Sequence, residues 1–407
     1  MKILILTQWY PPEPQEFLSE LAESLREFGH DVTVLTGFPN WPSGKLYPGY
    51  RIRLWQREHI RGIPIIRVPL YPDHSHSAFL RIINFLSFLM SAVVLGSWLI
   101  PRVDVIHVIH PPLTMGGAAW VLSRLHRIPF TYEIQDMWPE TLRATGMLNN
   151  EQALALVGMF AKWVYRCTKI IRVISPGFKA NLVNKGVHPD KIRVISNWVD
   201  TDFFRPFPPD FALAQQFGFN GVFNVVFTGT IGLAQGLETV LEAALLLRDL
   251  PEIQFVLIGD GADLEHLQGI ATERQIANVR FLGRHPANLM PRFNALADVL
   301  FLHLRDDPLF RITIPHKIFT YLASGKAILG AVSGDAAEVI SNAQAGVVCP
   351  PADPKALAEA VRMLYHLTPS ERQTMGENGR RAAEELYGRA PLISQVEKML
   401  KEAVYCC

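Results

Sequence analysis

Residues 223–261 read FNVVFTGTIGLAQGLETVLEAALLLRDLPEIQFVLIGDG, and their pattern decides the fold class of the C-terminal half. An apolar run rich in β-branched residues ends in a glycine turn, a helical pattern follows, and a second apolar run ends in another glycine turn. Continuous apolar runs are typical of strands buried on both faces, as in a parallel sheet covered by helices. The stretch therefore predicts a strand–helix–strand unit of a parallel α/β sheet.

The same alternation extends in both directions along the chain. The N-terminal half alternates apolar runs such as KILILT, DVTVLTG and KIIRVIS with helical patterns. A chain of 407 residues is long for one core, since domains commonly hold about 100–200 residues. We predict two Rossmann-like, doubly wound parallel-sheet domains that face an interdomain cleft, because such sheets bind ligands at the carboxyl ends of their strands.

The expected domain boundaries follow changes in composition. Residues 1–200 form the predicted N-terminal domain and 221–385 the C-terminal one. The segment 201–220 is rich in proline and phenylalanine and lacks a helical or strand period, so we predict an interdomain linker there. The final helical pattern, 386–407, is expected to pack back on the N-terminal domain.

Composition excludes some classes of protein. Lysine and arginine number 39 and aspartate and glutamate 38, so the basic bias of a nucleic-acid-binding protein is absent. The four cysteines show neither metal-ligand nor disulfide spacing, and no metal or other cofactor is expected. The first residues enter a strand pattern directly, without the apolar core of a secretory signal, which predicts a cytoplasmic location.

Residues 82–100, IINFLSFLMSAVVLGSWLI, contain no charged side chain. Their number approaches the roughly 20 residues that a helix needs to span a bilayer. One interpretation is a core helix packed between the sheet and another helix. The other is a helix that lies in a membrane surface, which basic and aromatic neighbours favour. A full span would cut an α/β domain in two, so we expect peripheral contact with the inner face of the cytoplasmic membrane.

Glycine-rich turns follow three successive strands of the C-terminal half. They contain Gly229, Gly232, Gly236, Gly259, Gly261, Gly283 and Arg284. The spacing is not the G-x-G-x-x-G of dinucleotide-binding proteins. Glycines at such turns let backbone N–H groups approach a phosphate, although a tight turn without a ligand explains each one singly. Together they predict one ligand that crosses several strand ends.

The stretch PHKIFTYLASG, residues 315–325, predicts a helix with Lys317 in its first turn. A cation there is disfavoured by the helix dipole unless an anion lies nearby. We predict that His316, Lys317 and the first backbone amides of this helix share a diphosphate with the Gly232 turn. The alternative is a lysine that extends into water along an apolar surface.

Three acidic residues follow a predicted strand of the N-terminal half, in TYEIQDMWPETL. Glu133, Asp136 and Glu140 could orient a hydroxyl, act as a base or stabilise positive charge at a sugar carbon. Helix capping by Asp136 and the placement of Glu140 in a first turn are compatible alternatives. In DVIHVIHPP, His110 is a candidate site residue, whereas His107 is more typical of a packed core.

These patterns together resemble a known family. Over nearly its whole length the chain is similar to GT-B glycosyltransferases of the large retaining family 4, and within them to fucosaminyltransferases of bacterial O-antigen and capsule assembly. The resemblance is carried by YPPEP (10–14), DVIHVIHPPL (104–113), EIQDMWPETL (133–142), TGTIGLAQGLETVLEA (228–243), VLIGDG (256–261) and IPHKIFTYLASGKAIL (314–329).

The resemblance implies a UDP-sugar donor, retention of anomeric configuration and no divalent metal. It implies an acceptor saccharide linked to polyprenyl diphosphate at the cytoplasmic membrane, with N-acetyl-L-fucosamine or a related N-acetylated sugar as the group transferred. The donor site would include Gln235 and Thr320, with Gly283 and Arg284 near uracil. Asp136 and Glu140 would lie near the acceptor hydroxyl.

The chain departs from the family pattern at the donor site. Thr230 and Gln235 stand where many members have arginine and lysine, and Ile312 and Thr320 where many have two glutamates. Charge compensation for the diphosphate then falls on Lys317. Two other functions remain open at this point: a sugar-nucleotide epimerase of similar architecture, which would need no membrane helix, and a non-catalytic scaffold that binds nucleotide sugars.

Overall fold

The computed structural model describes residues 1–73 and 78–405; residues 74–77 and the cysteines at 406 and 407 lie outside the described part. Contacts between residues divide the chain into two compact units. The first comprises Met1–Ser196 and the C-terminal segment from Leu392, and the second comprises Asn197–Pro391. Each unit holds one sheet with helices packed on it.

The first unit is built on an eight-stranded sheet of order β3-β4-β2-β1-β5-β6-β7-β8. Its strands are β1 (Lys2–Leu6), β2 (Asp31–Gly37), β3 (Gln56–Ile60), β4 (Ile63–Val68), β5 (Val105–His110), β6 (Phe130–Ile134), β7 (Ile170–Val173) and β8 (Ile192–Val194). Neighbours pair in parallel except β3 and β4, which form an antiparallel hairpin at one edge. Every residue of β5, β6 and β7 is buried, as the apolar runs predict for central parallel strands.

Helices connect these strands and cover the sheet. They are α1 (Glu16–Glu27), α2 (Ala78–Val94), α3 (Gly96–Leu99), α4 (Thr114–His126), α5 (Glu140–Ala144), α6 (Glu151–Cys167) and α7 (Pro176–Asn184). The predicted apolar helix at 82–100 is thus α2 followed by the short α3. Phe79–Leu99 is the single stretch of the described chain that is long and apolar enough to cross a membrane, with a mean hydropathy of 1.9, and only 22% of that window is buried.

The second unit contains a six-stranded sheet of order β11-β10-β9-β12-β13-β14, parallel throughout. Its strands are β9 (Phe223–Thr228), β10 (Ile253–Ile258), β11 (Val279–Gly283), β12 (Val299–His303), β13 (Ala327–Ala331) and β14 (Gly346–Cys349). Its helices are α8 (Phe211–Gln216), α9 (Glu238–Leu246), α10 (Leu264–Glu273), α11 (Met290–Ala295), α12 (Pro308–Arg311), α13 (Lys317–Ala323), α14 (Asp335–Asn342), α15 (Pro354–His366) and α16 (Pro369–Leu386). The prediction of two doubly wound α/β domains is confirmed.

The segment 201–220 differs in structure from the featureless linker that its composition predicts. It lies within the second unit, whose first residue is Asn197, and it includes the helix α8. Asp210 caps this helix by accepting a hydrogen bond from the backbone N–H of Leu213 at 3.1 Å. A helix of six residues is too short to show a period, which is why the pattern of the sequence missed it.

The terminal helix α17 (Arg389–Tyr405) contacts the first unit. The carboxylate of Glu397 accepts a hydrogen bond from Nε2 of His30 at 2.7 Å, and Glu402 forms an ion pair with Arg193. The strand order reverses at β1 in the first sheet and at β9 in the second. In doubly wound sheets ligands bind beyond the carboxyl ends of the strands at such reversals, so a ligand site is expected at these two strand ends.

Candidate active site

A cavity of about 740 Å³ lies at the carboxyl edge of the second sheet. Turns after three adjacent strands, β9, β10 and β11, contribute its walls. Its lining includes Gly229, Thr230, Gly259, Asp260, Gly261, Arg284, His285 and Met290. The structure therefore brings the predicted residues Gly229, Gly261 and Arg284 to one cavity, with the Arg284 side chain exposed at it.

The turns after β9 and β10 are bonded to each other through their backbones. The N–H of Gly229 donates to the carbonyl of Ile258 at 2.9 Å, and the N–H of Ile231 donates to the carbonyl of Asp260 at 2.9 Å. A Cβ atom on Gly259 would lie 1.7 Å from the carbonyl oxygen of Gly229. Glycine is thus required at position 259 by the packing of one turn on the other, whether or not a ligand is bound.

Lys317 begins α13, and its ammonium group lies beside the first of these turns. A Cβ on Gly229 would be 3.1 Å from Nζ, and Nζ lies 3.6 Å from the ring centroid of Phe227. Nζ is shielded from solvent and has no hydrogen-bond partner among the described residues. Burial lowers the pKa of Lys317 to about 7, because a charged ammonium without an anion is disfavoured there.

Two neighbours of Lys317 that were predicted to bind the donor are bonded within the protein. Nε2 of His316 forms a hydrogen bond with the carbonyl of Trp198 at 3.0 Å. The hydroxyl of Thr320 donates to the carbonyl of Lys317 at 2.8 Å, inside the helix, and Thr320 is 9% exposed. Of these three residues, Lys317 alone has its polar group without a hydrogen bond in this structure.

The turn that carries Gly232 and Gln235 is held on both sides. The backbone N–H of Gly232 donates to Oε1 of Gln235 at 3.0 Å. The backbone N–H of Ala352 donates to Nε2 of His303 at 3.3 Å, so the other ring nitrogen carries the proton and donates to the carbonyl of Gln235 at 2.5 Å. Burial lowers the pKa of His303 to about 4 and keeps the ring neutral. Sequence reasoning missed His303, because its role depends on a hydrogen bond to Gln235, which lies 68 positions earlier in the chain.

Gly283 ends β11 with a φ of +72°, a backbone conformation that favours glycine. It is not among the residues that line the 740 Å³ cavity, although its neighbour Arg284 is. The N–H of Gly259 donates to the carbonyl of Gly283 at 2.9 Å, which joins the turns after β10 and β11. Gly283 therefore shapes the cavity through the backbone.

In the first unit, Glu133 is separated from the acidic cluster that the sequence predicts. Its side chain is fully buried and forms an ion pair with Arg172 at 2.5 Å. Nε2–H of His107 donates to the same carboxylate at 3.1 Å, and the amide of Gln135 donates at 2.5 Å. Although burial alone would raise it, the pKa of Glu133 is lowered to about 2 by Arg172 and His107. Glu133 and His107 are therefore parts of a buried core network.

Asp136 and Glu140 follow β6 as predicted. Asp136 is half-buried, and burial raises the pKa of its carboxyl group. Glu140 is the first residue of α5 and forms an ion pair with Lys185 at 2.6 Å. Placement in a first helical turn and a lysine partner give Glu140 a structural role.

His110 ends β5 and is 1% exposed. Its ring meets the ring of Trp138 edge-on, with centroids 5.2 Å apart, and lies 6.0 Å from that of Tyr132. Neither ring nitrogen has a hydrogen-bond partner among residues 1–73 and 78–405. Burial lowers the pKa of His110 to about 3, so the imidazole is neutral at physiological pH.

Sequence reasoning missed Glu13, whose buried carboxylate lies between the loop after β1 and the loop after β2, at the carboxyl edge of the first sheet. Glu13 is 2% exposed and accepts three hydrogen bonds from backbone N–H groups. Burial is the largest influence on its pKa, which is raised to about 7.

No group of three histidine, cysteine, aspartate or glutamate residues in the described chain is arranged to hold a metal ion.

Comparisons with known proteins agree with this architecture. Residues 14–198 match the domain family described as "Glycosyl transferase 4-like domain", and residues 213–382 match "Glycosyl transferases group 1". The chain is 28% identical over 257 residues to the glycosyltransferase WbjE of Pseudomonas aeruginosa, covering 62% of this chain and 61% of that protein. It is 26% identical over 341 residues to the colanic acid biosynthesis glycosyl transferase WcaI of Escherichia coli, covering 80% and 82%.

A solved structure matches the whole fold. HepE of Anabaena, crystallised with UDP, superposes with a TM-score of 0.76 at 18% identity, over 99% of this chain and 100% of HepE. That likeness identifies the fold as GT-B. The two domain families and the named relatives support the activity, that of a glycosyltransferase of the GT-B type.

Proposed function

We propose that this glycosyltransferase moves a sugar from a UDP-sugar to a saccharide linked to polyprenyl diphosphate, with retention of configuration at the anomeric carbon. The transferred group is N-acetyl-L-fucosamine or a related N-acetylated sugar, and the pathway builds a bacterial surface polysaccharide such as O-antigen or capsule. The name of WcaI, which places that relative in colanic acid biosynthesis, supports the pathway, and the UDP in the HepE crystal supports the donor class.

The observation that carries the proposal is the unpartnered ammonium group of Lys317. A buried cation without an anion is costly, and proteins keep such groups mainly where a ligand supplies the opposite charge. The ammonium lies beside the Gly229 turn, which also lines the 740 Å³ cavity. A diphosphate at this turn would meet the ammonium group of Lys317. Arg284 is exposed at the same cavity, and we propose that it contacts the uridine.

The proposed reaction uses these charges to stabilise the leaving group. The bond between the anomeric carbon and the diphosphate oxygen breaks, and UDP departs with the electron pair. Lys317 neutralises the charge that develops on that oxygen, which is the kind of preorganised electrostatic stabilisation that lowers barriers most. The acceptor hydroxyl bonds to the anomeric carbon and loses its proton, with Asp136 as the proposed base. No metal is needed in this scheme, because protein cations supply the charge.

The acceptor is proposed to reach the enzyme at a membrane surface. Along α2 and α3 the exposed apolar side chains recur every three or four residues, which places them on one side of the helix. They are Phe79, Ile82, Leu86, Met90, Val94 and Trp98. Trp98, with 87% of its side chain exposed, and the neighbouring Arg102 suit the interface between lipid headgroups and acyl chains. We propose that this stripe binds the inner face of the cytoplasmic membrane.

Vesicle binding tests this location. Met90 in the stripe and Met363 in α15 are almost equally exposed, at 57% and 55%, so they form a matched pair. Met90→Glu should weaken binding to vesicles of phosphatidylethanolamine and phosphatidylglycerol about tenfold, because the apolar contact is lost. Met363→Glu should bind as the wild type does. Equal binding by both variants would contradict the membrane proposal.

The reaction is tested by UDP release from a panel of UDP-sugars in EDTA. The panel includes UDP-N-acetyl-L-fucosamine and UDP-N-acetylglucosamine, each with and without a polyprenyl-diphosphate-linked N-acetylhexosamine. Lipid-dependent release, with one sugar added to the lipid, is the expected result. Interconversion of UDP-sugars without release would identify an epimerase instead. Saturable binding without any turnover of the whole panel would identify a nucleotide-sugar-binding scaffold.

A further inference from the structure

Two tryptophans lie side by side at the carboxyl edge of the first sheet. Trp9 follows β1 and Trp41 follows β2, and these strands are parallel neighbours. Their ring centroids are 6.0 Å apart, with 37° between the ring planes, and both residues are half-buried. The pair is therefore a small apolar surface in reach of solvent, at the strand where the sheet order reverses.

One carboxylate, that of Glu13, accepts hydrogen bonds from the backbone beside both tryptophans. Oε2 of Glu13 accepts from the N–H of Tyr10, the residue after Trp9, at 2.9 Å. Oε1 accepts from the N–H of Trp41 itself at 2.8 Å and from that of Asn40 at 2.9 Å. One buried side chain thus joins the loop after β1 to the loop after β2.

The carbonyl groups of both tryptophans are bonded as well. The hydroxyl of Thr7 donates to the carbonyl of Trp9 at 3.2 Å, and the hydroxyl of Tyr47 donates to the carbonyl of Trp41 at 2.9 Å. The backbone next to each indole is therefore fixed on both sides. An aromatic pair held in this way loses little further freedom when a ligand stacks on it.

A second buried charge secures the same loops. Arg67 is fully buried, donates to the carbonyl of Gly37 at 2.8 Å, and also donates to the carbonyl of Pro11. Burying charged groups has a free-energy cost, and here Glu13 and Arg67 both satisfy backbone groups of two loops. Such supporting residues are what a precisely positioned binding surface needs.

We propose that Trp9 and Trp41 form a stacking site for a sugar ring of the acceptor and that Glu13 is the residue that positions them. The inference rests on the proposed function. A pyranose ring has an apolar C–H face and a polar rim of hydroxyls, which matches an indole face beside polar loop groups. Trp9 follows β1, and β1 pairs with β5, whose last residue is the candidate site residue His110.

Acceptor kinetics test the inference. The probe is N-acetylglucosamine on farnesyl diphosphate, with the UDP-sugar that the panel identifies held at saturation. Trp9→Ala and Trp41→Ala should each raise the KM for this probe about tenfold and leave the KM for the UDP-sugar and the acceptor-independent release of UDP within twofold. Trp163→Ala is the matched control, because Trp163 is half-buried in α6 of the same unit and also lies beside a second tryptophan, Trp120, at 5.1 Å between ring centroids, outside both loops.

Two further variants separate positioning from folding. Trp9→Phe and Trp41→Phe keep an aromatic face and should keep most of the acceptor affinity. Glu13→Gln should raise the acceptor KM with little change in kcat, since it loosens the loops without removing the rings. A purely structural role would instead lower the melting temperature and the amount of active enzyme while both KM values stayed constant.

The outcomes distinguish this inference from the function on which it rests. A wild type that transfers sugar, with Trp9→Ala and Trp41→Ala unchanged in acceptor KM, overturns the stacking site and leaves the proposed function standing. An equal loss of donor and acceptor affinity in both alanine variants also overturns it. A wild type that turns over no UDP-sugar overturns the proposed function, and the stacking site with it.

Discussion

The pKa of Lys317 leads to a prediction about donor binding. In the free protein burial lowers this pKa to about 7. A bound diphosphate favours the charged ammonium and so raises the pKa, which means that binding above pH 7 must be accompanied by proton uptake. Below pH 7 the ammonium is already charged, and affinity should be flat. Above pH 7 the dissociation constant of a UDP-sugar should rise about tenfold per pH unit until the pKa of the complex is reached.

Calorimetry measures the proton directly. With a pKa of about 7 in the free protein, binding of UDP-N-acetylglucosamine should take up about 0.9 proton at pH 8 and about 0.1 at pH 6. The number follows from binding enthalpies in two buffers of different ionisation enthalpy. A UDP-sugar is the right ligand, because its doubly esterified diphosphate does not titrate in this range.

Lys317→Met is the control for this prediction. It keeps an apolar chain of similar length and removes the titrating group, so affinity should be weak and independent of pH. Two results would refute the reasoning: proton uptake near zero at pH 8 in the wild type, or the same uptake in Lys317→Met. Either would mean that the ammonium does not meet the diphosphate.

Three further predictions concern the frame around the site. Arg172→Met should destabilise the protein by about 3–5 kcal/mol in urea unfolding, because it leaves the fully buried carboxylate of Glu133 without its main counter-charge; a loss below about 1 kcal/mol would contradict that. Gly259→Ala should prevent correct packing of the turns and abolish UDP-sugar binding, since its Cβ would lie 1.7 Å from a carbonyl oxygen. The control is Gly269→Ala in α10, where a Cβ meets nothing within 4 Å, and this change should stabilise the helix by about 1 kcal/mol. The pKa of His110 is lowered to about 3 in the folded protein, so as the pH falls from 6.5 this histidine is protonated in the unfolded chain and not in the folded one. The wild type should therefore lose stability relative to His110→Phe over that range, on the order of 5 kcal/mol by pH 3. Parallel curves of stability against pH for the two proteins would refute this.

Strands buried on both faces were readily predicted from the sequence, and the edge hairpin was not. β3 reads QREHI and alternates between half-buried and exposed residues, so no apolar run marks it. The feature that marks the hairpin is the turn after β3, where Arg61 has a φ of +49° and Gly62 a φ of +77°. Positive φ at two successive positions is typical of a two-residue hairpin turn, but arginine at the first position gives little sequence signal.

The candidate site divides in the same way. Strand-end glycines and Lys317 could be recognised because they occupy expected places along the chain. The residues that contact the candidate side chains come from distant segments of the chain. Phe227, whose ring lies against the ammonium of Lys317, is 90 positions earlier, and Arg172, which pairs with Glu133, is 39 positions later. Spacing within one motif does not show whether a carboxylate is paired with a distant cation, so the sequence does not separate Glu133 from Asp136.

Glu13 is a residue whose importance the sequence does not reveal. In the sequence it is one acid in a proline-rich turn, with nothing to separate it from a solvent-exposed residue. Its role appears only when the loop after β2 is placed beside it, because two of its three hydrogen bonds come from Asn40 and Trp41. Buried charges that organise loops are therefore found by structure.

The central claim is that Lys317 neutralises the departing diphosphate of a UDP-sugar, and turnover tests it most directly. The rate of sugar transfer to the polyprenyl-diphosphate-linked acceptor should be measured for the wild type, for Lys317→Ala, and for Lys355→Ala, whose lysine is exposed at the start of α15. We predict that Lys317→Ala lowers kcat more than about tenfold, while Lys355→Ala leaves it unchanged. Equal turnover by the wild type and Lys317→Ala, with the variant folded and saturated with donor, would contradict the claim.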